Sequence, residues 1–568
     1  MKVITTTLNA KYIHTNLALR FLKAYSAPEF HIEIIEYTIK DPILHVVADL
    51  FQQNPDVIGF SCYIWNIKET KKIAALLKKA LPNCKIIFGG PEVSFNAESI
   101  LNEVPAVDAI VIGEGEATFK ELLQKLTNHE PINEVNGLAY QTNEGIVVNS
   151  PREKLDLMTI PSPYRFAEDL ANLPHRISYF ETSRGCPFNC QFCLSSTEVG
   201  VRYFDREEAK ADLLYLIQNG VKTIKFMDRT FNTNREFALD IFDFLIKNHT
   251  PGMSIQFEIT ADIMRPEIIA YLNEHAPAGL FRFEIGIQST NENTNLLVQR
   301  KQNFEKLKRI VTMIKEGGKI DQHLDLIAGL PEEDYSSFRS TFNDVFEMRP
   351  EELQLGFLKM LHGTGLTKDA EKFGYQYMEH APYEMLSNNC LSFTDVIHIK
   401  QVEDILEKYW NAHRMDLTIE YLVTNVFASA FDFFQGFGAY WVAQDWSKIG
   451  HQLADLFIRL AEYLEKEQPE HYLIALNLMK YDYLTRLTHK PRSIWWEDDI
   501  SKDKKNELLE QLIGPAQNTR DLQKHGLFVH FNINIEKFLT EHKIEHNHHW
   551  RYVYFDPKHK NVSLKSIN

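Results

Sequence analysis

The sequence predicts an α/β protein in three parts: a doubly wound parallel sheet, a partial (β/α)6 barrel and a mainly helical C-terminal domain. Three observations carry that prediction. Five short apolar runs alternate with helix-patterned segments over residues 1–127, six more alternate over 177–365, and from 366 onward apolar residues recur at helical spacing.

In chain order, "KVITTT", "HIEIIEY", "DVIGFSCY", "KIIFGG" and "DAIVIGEGE" read as strands, separated by segments such as "NIKETKKIAALLKKALP" that read as helices. In such a sheet, ligands are expected at the carboxyl ends of the strands. The turns there, Gly89-Gly90-Pro91 and Gly113-Glu114-Gly115-Glu116, let backbone approach a ligand closely, although a tight turn alone also favours glycine. Over 128–176 the alternation fails: "GLAYQTNEGIVVN" reads as a hairpin about Asn143-Glu144-Gly145 and "TIPSPY" as a connection, so this segment is expected to be a linker. "ISYFETS", "TIKFMD", "SIQFEIT", "FRFEIGIQS", "HLDLIAGLP" and "ELQLGFLK" then supply the barrel strands, with function expected at their carboxyl edge. The last part, 366–568, is aromatic-rich and helical in pattern, and it closes on strand-like runs, "GLFVHFNIN" and "WRYVYFD".

Composition narrows the function. In 568 residues, 61 Lys and Arg face 77 Asp and Glu, a net charge of −16 that disfavours nucleic acid and anionic membrane as partners. The six cysteines form no disulfide framework, and no signal-like segment precedes Met1-Lys2-Val3-Ile4. A cytoplasmic location is therefore expected. The apolar run Tyr421 to Val442 is broken by Asn425, Asp432 and Gln435 and reads as core helix rather than as a membrane span.

Three cysteines crowd into "SRGCPFNCQFC", at Cys186, Cys190 and Cys193, just after the first barrel strand. Thiolates bind zinc or iron–sulfur clusters, and a closed zinc site needs four ligands. The nearest candidate fourth, His175, lies before the strand and so at its wrong end. A [4Fe–4S] cube held by three thiolates keeps one iron open to a substrate or cofactor.

This CxxxCxxC loop, with aromatic Phe192 before the third cysteine and six βα units around it, resembles the radical S-adenosylmethionine (radical SAM) enzymes. The resemblance implies a [4Fe–4S] cluster on Cys186, Cys190 and Cys193. It also implies S-adenosylmethionine chelated at the open iron, its reductive cleavage to a 5′-deoxyadenosyl radical, and an electron donor such as flavodoxin or ferredoxin. It assigns cofactor contacts to Asp228, Glu258, Glu284 and Gln288 along the strands, and to Ile327 and Gly329 in "DLIAGLPEE". Where many members carry Gly-Gly-Glu after the second strand, this chain reads Met227-Asp228-Arg229, which leaves Asp228 as the ammonium partner.

The domain ahead of the barrel resembles the cobalamin-binding module of cobalamin-dependent radical SAM proteins, so the likeness covers about 1–365. It implies cobalamin near Gly89, Gly90, Pro91, Gly113, Glu114, Gly115 and Glu116, with Cys62 and Tyr63 lining the same crevice. Many such modules read Asp-x-His-x-x-Gly after the first strand; here Asn9-Ala10-Lys11-Tyr12-Ile13-His14 puts Lys11 at the imidazole position, leaving His14 as a lower-face neighbour. The C-terminal part is similar to an uncharacterised domain that accompanies such proteins.

The function implied is methylation of an unactivated carbon on a small or medium-sized organic substrate. A second reading keeps the radical enzyme but makes the N-terminal domain a scaffold without corrinoid, serving a rearrangement, cyclisation or oxidation. A methylthiotransferase acting on RNA would need three N-terminal cysteines for a second cluster, and only Cys62 and Cys84 are there. A non-enzymatic, metal-stapled interaction module would draw on His546, His548 and His549, which read more simply as a polar tail.

Overall fold

The computed structural model describes residues 1–27, 29–197, 200–497, 500–512, 519–541 and 543–566. The chain divides into two compact units, Met1–Glu351 with Leu355–Phe393, and Glu352–Gln354 with Thr394–Asn568.

Among the described residues the first unit holds two large sheets and two short ribbons. In the N-terminal one, β1 (Val3–Asn9), β2 (Ile32–Thr38), β3 (Val57–Ser61), β4 (Lys85–Gly89) and β5 (Ala109–Val111) run parallel in the order β2-β1-β3-β4-β5. All seven residues of β1 are buried, as expected of a central strand covered on both faces. The crossovers diverge between β1 and β3, which opens a crevice at their carboxyl ends. Asn66 closes its floor, donating to Thr7 Oγ1, Leu8 O and Ser61 O. The expected hairpin forms as β6 (Leu138–Thr142) and β7 (Gly145–Val148). It is not a free linker, because β6 pairs antiparallel with β5 and extends the sheet to seven strands. Its apolar Leu138, Ala139 and Tyr140 are buried where they meet that edge.

The second sheet begins with β8 (Ile177–Phe180), followed by a two-stranded ribbon, β9 (Ser183–Cys186) and β10 (Gly200–Tyr203). β11 (Thr223–Phe226), β12 (Ser254–Ile259), β13 (Phe281–Gln288), β14 (Asp321–Ala328) and β15 (Glu352–Phe357) complete the six-stranded order β15-β14-β13-β12-β11-β8. Every barrel strand read from the sequence is present. Alternation sends Phe257, Phe281 and Phe283 outward, where their rings pack on Phe242 of the helix Arg235–Asn248 with centroids 5.0–5.7 Å apart. The same alternation turns Lys225, Gln256, Glu258, Glu284 and His323 to the inner face.

The second unit is helical through Arg486 and carries the antiparallel sheet β18 (Gly526–Ile533), β19 (His546–Asp556) and β20 (Asn561–Ser566), the labels β16 (Gln376–Tyr377) and β17 (Met385–Ser387) belonging to a short ribbon in the first unit. Phe437, Trp441, Tyr409 and Phe433 fill its core. His546, His548 and His549 are no tail: they lie in β19, where His549 pairs with Phe531 and His548 stacks on His530 at 5.6 Å. Buried residues beyond the histidines, Tyr552, Val553 and Phe555, anchor that strand on both faces. No helix among the described residues is long and apolar enough to cross a membrane.

Candidate active site

The three-cysteine loop leaves β9 at Cys186. Its start is fixed by a close approach that only glycine permits: Gly185 has φ +95°, and a Cβ there would lie 2.1 Å from the Gly200 carbonyl oxygen. Further along, Gln191 N donates to Val298 O at 2.9 Å, and Leu366 N donates to Gln191 O at 2.8 Å. Leu366, at the end of the segment Leu361–Leu366, therefore clamps the middle of the cysteine loop.

Cys190 is buried at 7% exposure, whereas Cys186 and Cys193 are half-buried. Burial pushes the Cys190 thiol up, and Arg300, with Nη1 3.8 Å from its sulfur, pulls it back down. Among the described residues no group of three or more Cys, His, Asp or Glu side chains stands in metal-ligand geometry. As a donor set, three soft thiols on one loop without a fourth protein ligand suit an iron–sulfur cube with one open iron and do not suit a closed zinc site.

Asp228 does not face the lumen as a free carboxylate. It is 1% exposed and accepts from Thr182 N at 3.1 Å, Thr182 Oγ1 at 2.5 Å and Ser183 Oγ at 2.5 Å, which ties the end of β11 to the root of the cysteine ribbon. Burial raises its carboxyl against the pull of those donors. Its geometry is that of a clamp, in place of the ammonium contact expected from the sequence. Glu284 is also engaged, with Lys225 Nζ at 2.8 Å and with Gln256.

Glu258 differs. It stands beside Glu284 on the inner face, has no hydrogen-bond or ion-pair partner among the described residues, and is pushed by burial up to about 7 despite the opposing charge of Arg229. Gln288, at φ +69° beyond a bulge in β13, likewise keeps a buried Oε1 without a partner. Ile327 lies half-buried on the inner face, and the Gly329 carbonyl accepts from Tyr375 Oη at 2.8 Å and Asn388 Nδ2 at 3.2 Å. Phe192 is half-buried in the cysteine loop.

At the carboxyl edge of the N-terminal sheet, several expected cofactor residues are occupied otherwise. Cys62 is fully buried and its N donates to Gly89 O at 2.7 Å, so it is core rather than crevice lining. Gly90, at φ +106°, packs onto it so tightly that a Cβ would lie 2.6 Å from Cys62 O. Glu116 pairs with Arg184 at 2.7 Å, Glu114 pairs with Arg202, and Arg184 also reaches Glu181 at 3.0 Å. The Gly113–Glu116 turn thus grips the ribbon that carries the cysteines. His14 Nδ1 is bonded to Tyr179 Oη at 2.7 Å, which commits it to β8. Large apolar side chains remain open there: Tyr12, Ile13, Trp65 and Phe95 are exposed beside the exposed Lys11, and Trp65 stacks on the half-buried Tyr63 with centroids 4.4 Å apart. Burial raises the Tyr63 phenol, and the exposed Arg229 opposes that rise as it does for Glu258.

Arg184, Arg202, Arg300 and the Thr182–Ser183 pair have no role in the sequence reading. Arg184 is part of the quoted motif, and Glu181 three residues before it is the one acidic neighbour the local sequence shows.

Residues 3–123 match the B12 binding domain, residues 180–345 the Radical SAM superfamily, and residues 371–555 a family described only as a protein of unknown function, DUF4080. An uncharacterized methyltransferase of Pyrococcus horikoshii is 32% identical over 236 residues, 40% of this chain and 51% of that protein. The cobalamin-dependent radical SAM methyltransferase TokK of Streptomyces tokunonensis is 27% identical over 369 residues, 61% of this chain and 53% of TokK. The chain spans about half the length of the curated relatives it matches. Among solved structures, the cobalamin-dependent S-adenosylmethionine radical enzyme OxsB with aqua-cobalamin bound shares the fold at a TM-score of 0.60 and 17% identity, over 85% of this chain and 79% of OxsB. The chain accordingly carries a B12-binding domain followed by a radical SAM domain.

Proposed function

We propose that the protein is a cobalamin-dependent radical SAM methyltransferase acting on an unactivated carbon of a small or medium-sized organic substrate. The observation that carries this reading is the direct ion-paired tie, Arg184 to Glu116, between the cysteine ribbon and the carboxyl edge of the B12-binding domain. When bound, a reduced [4Fe–4S] cluster supplies the electron that splits S-adenosylmethionine, and cobalamin supplies a methyl carrier.

In this reading Cys186, Cys190 and Cys193 hold the cluster. Asp228 positions their ribbon through Thr182 and Ser183. Glu258 and Gln288, the inner-face groups left without partners, bind polar groups of S-adenosylmethionine or of the substrate, while Ile327 and the Gly329 turn border the adenine side. Trp65 and Tyr63, with the Gly89-Gly90-Pro91 and Gly113 turns, offer a flat aromatic and backbone face to a corrinoid. With Lys11 at the imidazole position and His14 bonded to Tyr179, the loop after β1 presents no uncommitted histidine to cobalt. The electron enters from a small one-electron donor such as a flavodoxin or ferredoxin.

The test is anaerobic purification after cobalamin supplementation, with cobalt and iron counted in one sample and products followed on a candidate substrate. Methyl transfer yields 5′-deoxyadenosine and S-adenosylhomocysteine in near-equal amounts. Cobalt-loaded protein that forms 5′-deoxyadenosine without S-adenosylhomocysteine would refute it in favour of a rearrangement, cyclisation or oxidation.

A further inference from the structure

Arg300 is pinned at four points. Its backbone N donates to Asn295 O at 2.8 Å, its Nε donates to Gln302 Oε1 at 3.1 Å, its Nη2 donates to the Gly286 carbonyl at the β13 bulge, and its Nη1 lies 3.8 Å from Cys190 Sγ. A guanidinium held this way cannot swing off to solvent as a surface arginine does. The sulfur that it approaches is also the most buried of the three, where water screens charge least.

We propose that Arg300 sets the reduction potential of the cluster by holding a fixed positive charge against Cys190. This rests on the reading that Cys186, Cys190 and Cys193 bind a [4Fe–4S] cluster. A cube with a 2+ core and three thiolates carries a net charge of 1−, and gaining one electron from an external donor makes it 2−, so a fixed cation favours the reduced form. Charge and hydrogen bonds at the cluster sulfurs are established determinants of such potentials. Arg300 is a tuning residue acting through Cys190; no contact with a substrate is required of it.

The experiment uses the full chain, reconstituted anaerobically with iron and sulfide, without S-adenosylmethionine, and titrated with dithionite under electron paramagnetic resonance. Arg300→Gln is expected to shift the reduction equilibrium about tenfold toward the oxidised cluster, which is ~59 mV more negative for one electron. Arg300→Lys, which keeps the charge, should stay within about threefold of wild type. An Arg300→Gln protein with full iron and the wild-type potential overturns the proposal. If Arg300→Gln does not retain iron, Gln302→Leu, which releases one anchor of the guanidinium, is titrated instead; a wild-type potential there overturns it equally, and a negative shift supports it. Wild-type protein that takes up no iron and sulfide would sink the cluster reading itself, an outcome distinct from an unshifted potential.

Discussion

At the carboxyl edge of the N-terminal sheet, Glu92, Glu114 and Glu116 are all spoken for, by Tyr383, Arg202 and Arg184, and the large apolar side chains Tyr12, Ile13, Trp65 and Phe95 are left exposed. Along the inner face of the barrel the pattern inverts: the outward residues pack as phenylalanines, and Glu258 and Gln288 keep polar atoms without partners. An unpaired buried polar atom costs about 1–3 kcal/mol, so a fold retains one chiefly where something else is to satisfy it. The contrast separates two kinds of binding surface. One sheet edge offers shape and flat apolar area, while the other offers directed polar groups.

The largest expected effect falls on the barrel side. Replacing Cys186, Cys190 or Cys193 with Ala should remove the cluster and bring 5′-deoxyadenosine formation down to background, whereas Cys62→Ala, in the core of the other sheet, should leave iron content unchanged. Iron and acid-labile sulfide assays on the four variants check this. Full iron in a cysteine-loop variant would erase the distinction.

The succession of strands along the chain and the barrel count were legible because alternating apolar runs repeat locally, and Asn16, Asp205 and Asn234 each cap the helix that follows. The cysteine loop was legible because its three cysteines lie within eight residues. The uses of Asp228, Glu114 and Glu116 were not. Each depends on a partner at long range, 45 residues away for Asp228 and Ser183 and 68 for Glu116 and Arg184, and a single sequence carries no signal for such pairs. The hairpin of 138–148 was seen, but the edge it joins was not, since register across a sheet is a tertiary choice.

The two ties at the ribbon sharpen the comparison at the next level. Asp228→Ala leaves Thr182 and Ser183 without their acceptor in a buried site, a loss of about 2–4 kcal/mol that should lower the melting temperature and cluster retention together. Arg184→Ala strands Glu116 and Glu181 and should cost a similar ~2–4 kcal/mol, with cobalamin retention falling alongside iron because the tie spans both domains. If Asp228→Ala instead keeps its stability and loses only S-adenosylmethionine affinity, Asp228 is a cofactor contact and the clamp reading fails.

Glu258 provides a pH-dependent test of the barrel face. Its carboxyl rises from the ordinary value of 4.5 to about 7, so the folded protein holds a proton that the unfolded chain has released. Stability from this group is full below about 4.5 and is lost as pH climbs to about 7. The loss amounts to about 3 kcal/mol at most. Glu258→Gln removes that slope and should make the ligand-free protein more stable than wild type at pH 8, with little difference at pH 5. At the same time S-adenosylmethionine or substrate affinity should fall about tenfold, as expected for one lost charge-assisted bond. Parallel melting curves for the two proteins across pH would show that Glu258 finds its partner within the chain.

The smallest effect belongs to the apolar edge, and there the two surfaces should part most cleanly. Trp65 is 45% exposed and lies nearly parallel to Tyr63, at an interplanar angle of 5°, so its removal uncovers little core and should leave the melting temperature and the iron content of the cysteine loop as they are. If the face of that ring pair supports a corrinoid, Trp65→Ala forfeits roughly 0.5–1.5 kcal/mol of stacking, a loss of about two- to tenfold in cobalamin affinity. Absorbance titration of apoprotein with hydroxocobalamin measures this directly. Trp65→Phe should recover most of the affinity, because the requirement is flat apolar area rather than a hydrogen bond. Wild-type affinity in Trp65→Ala would mean that the exposed aromatics at this edge cover something other than a corrinoid. The proposed division between an edge that binds by shape and a lumen that binds by polar groups would then hold for the lumen alone.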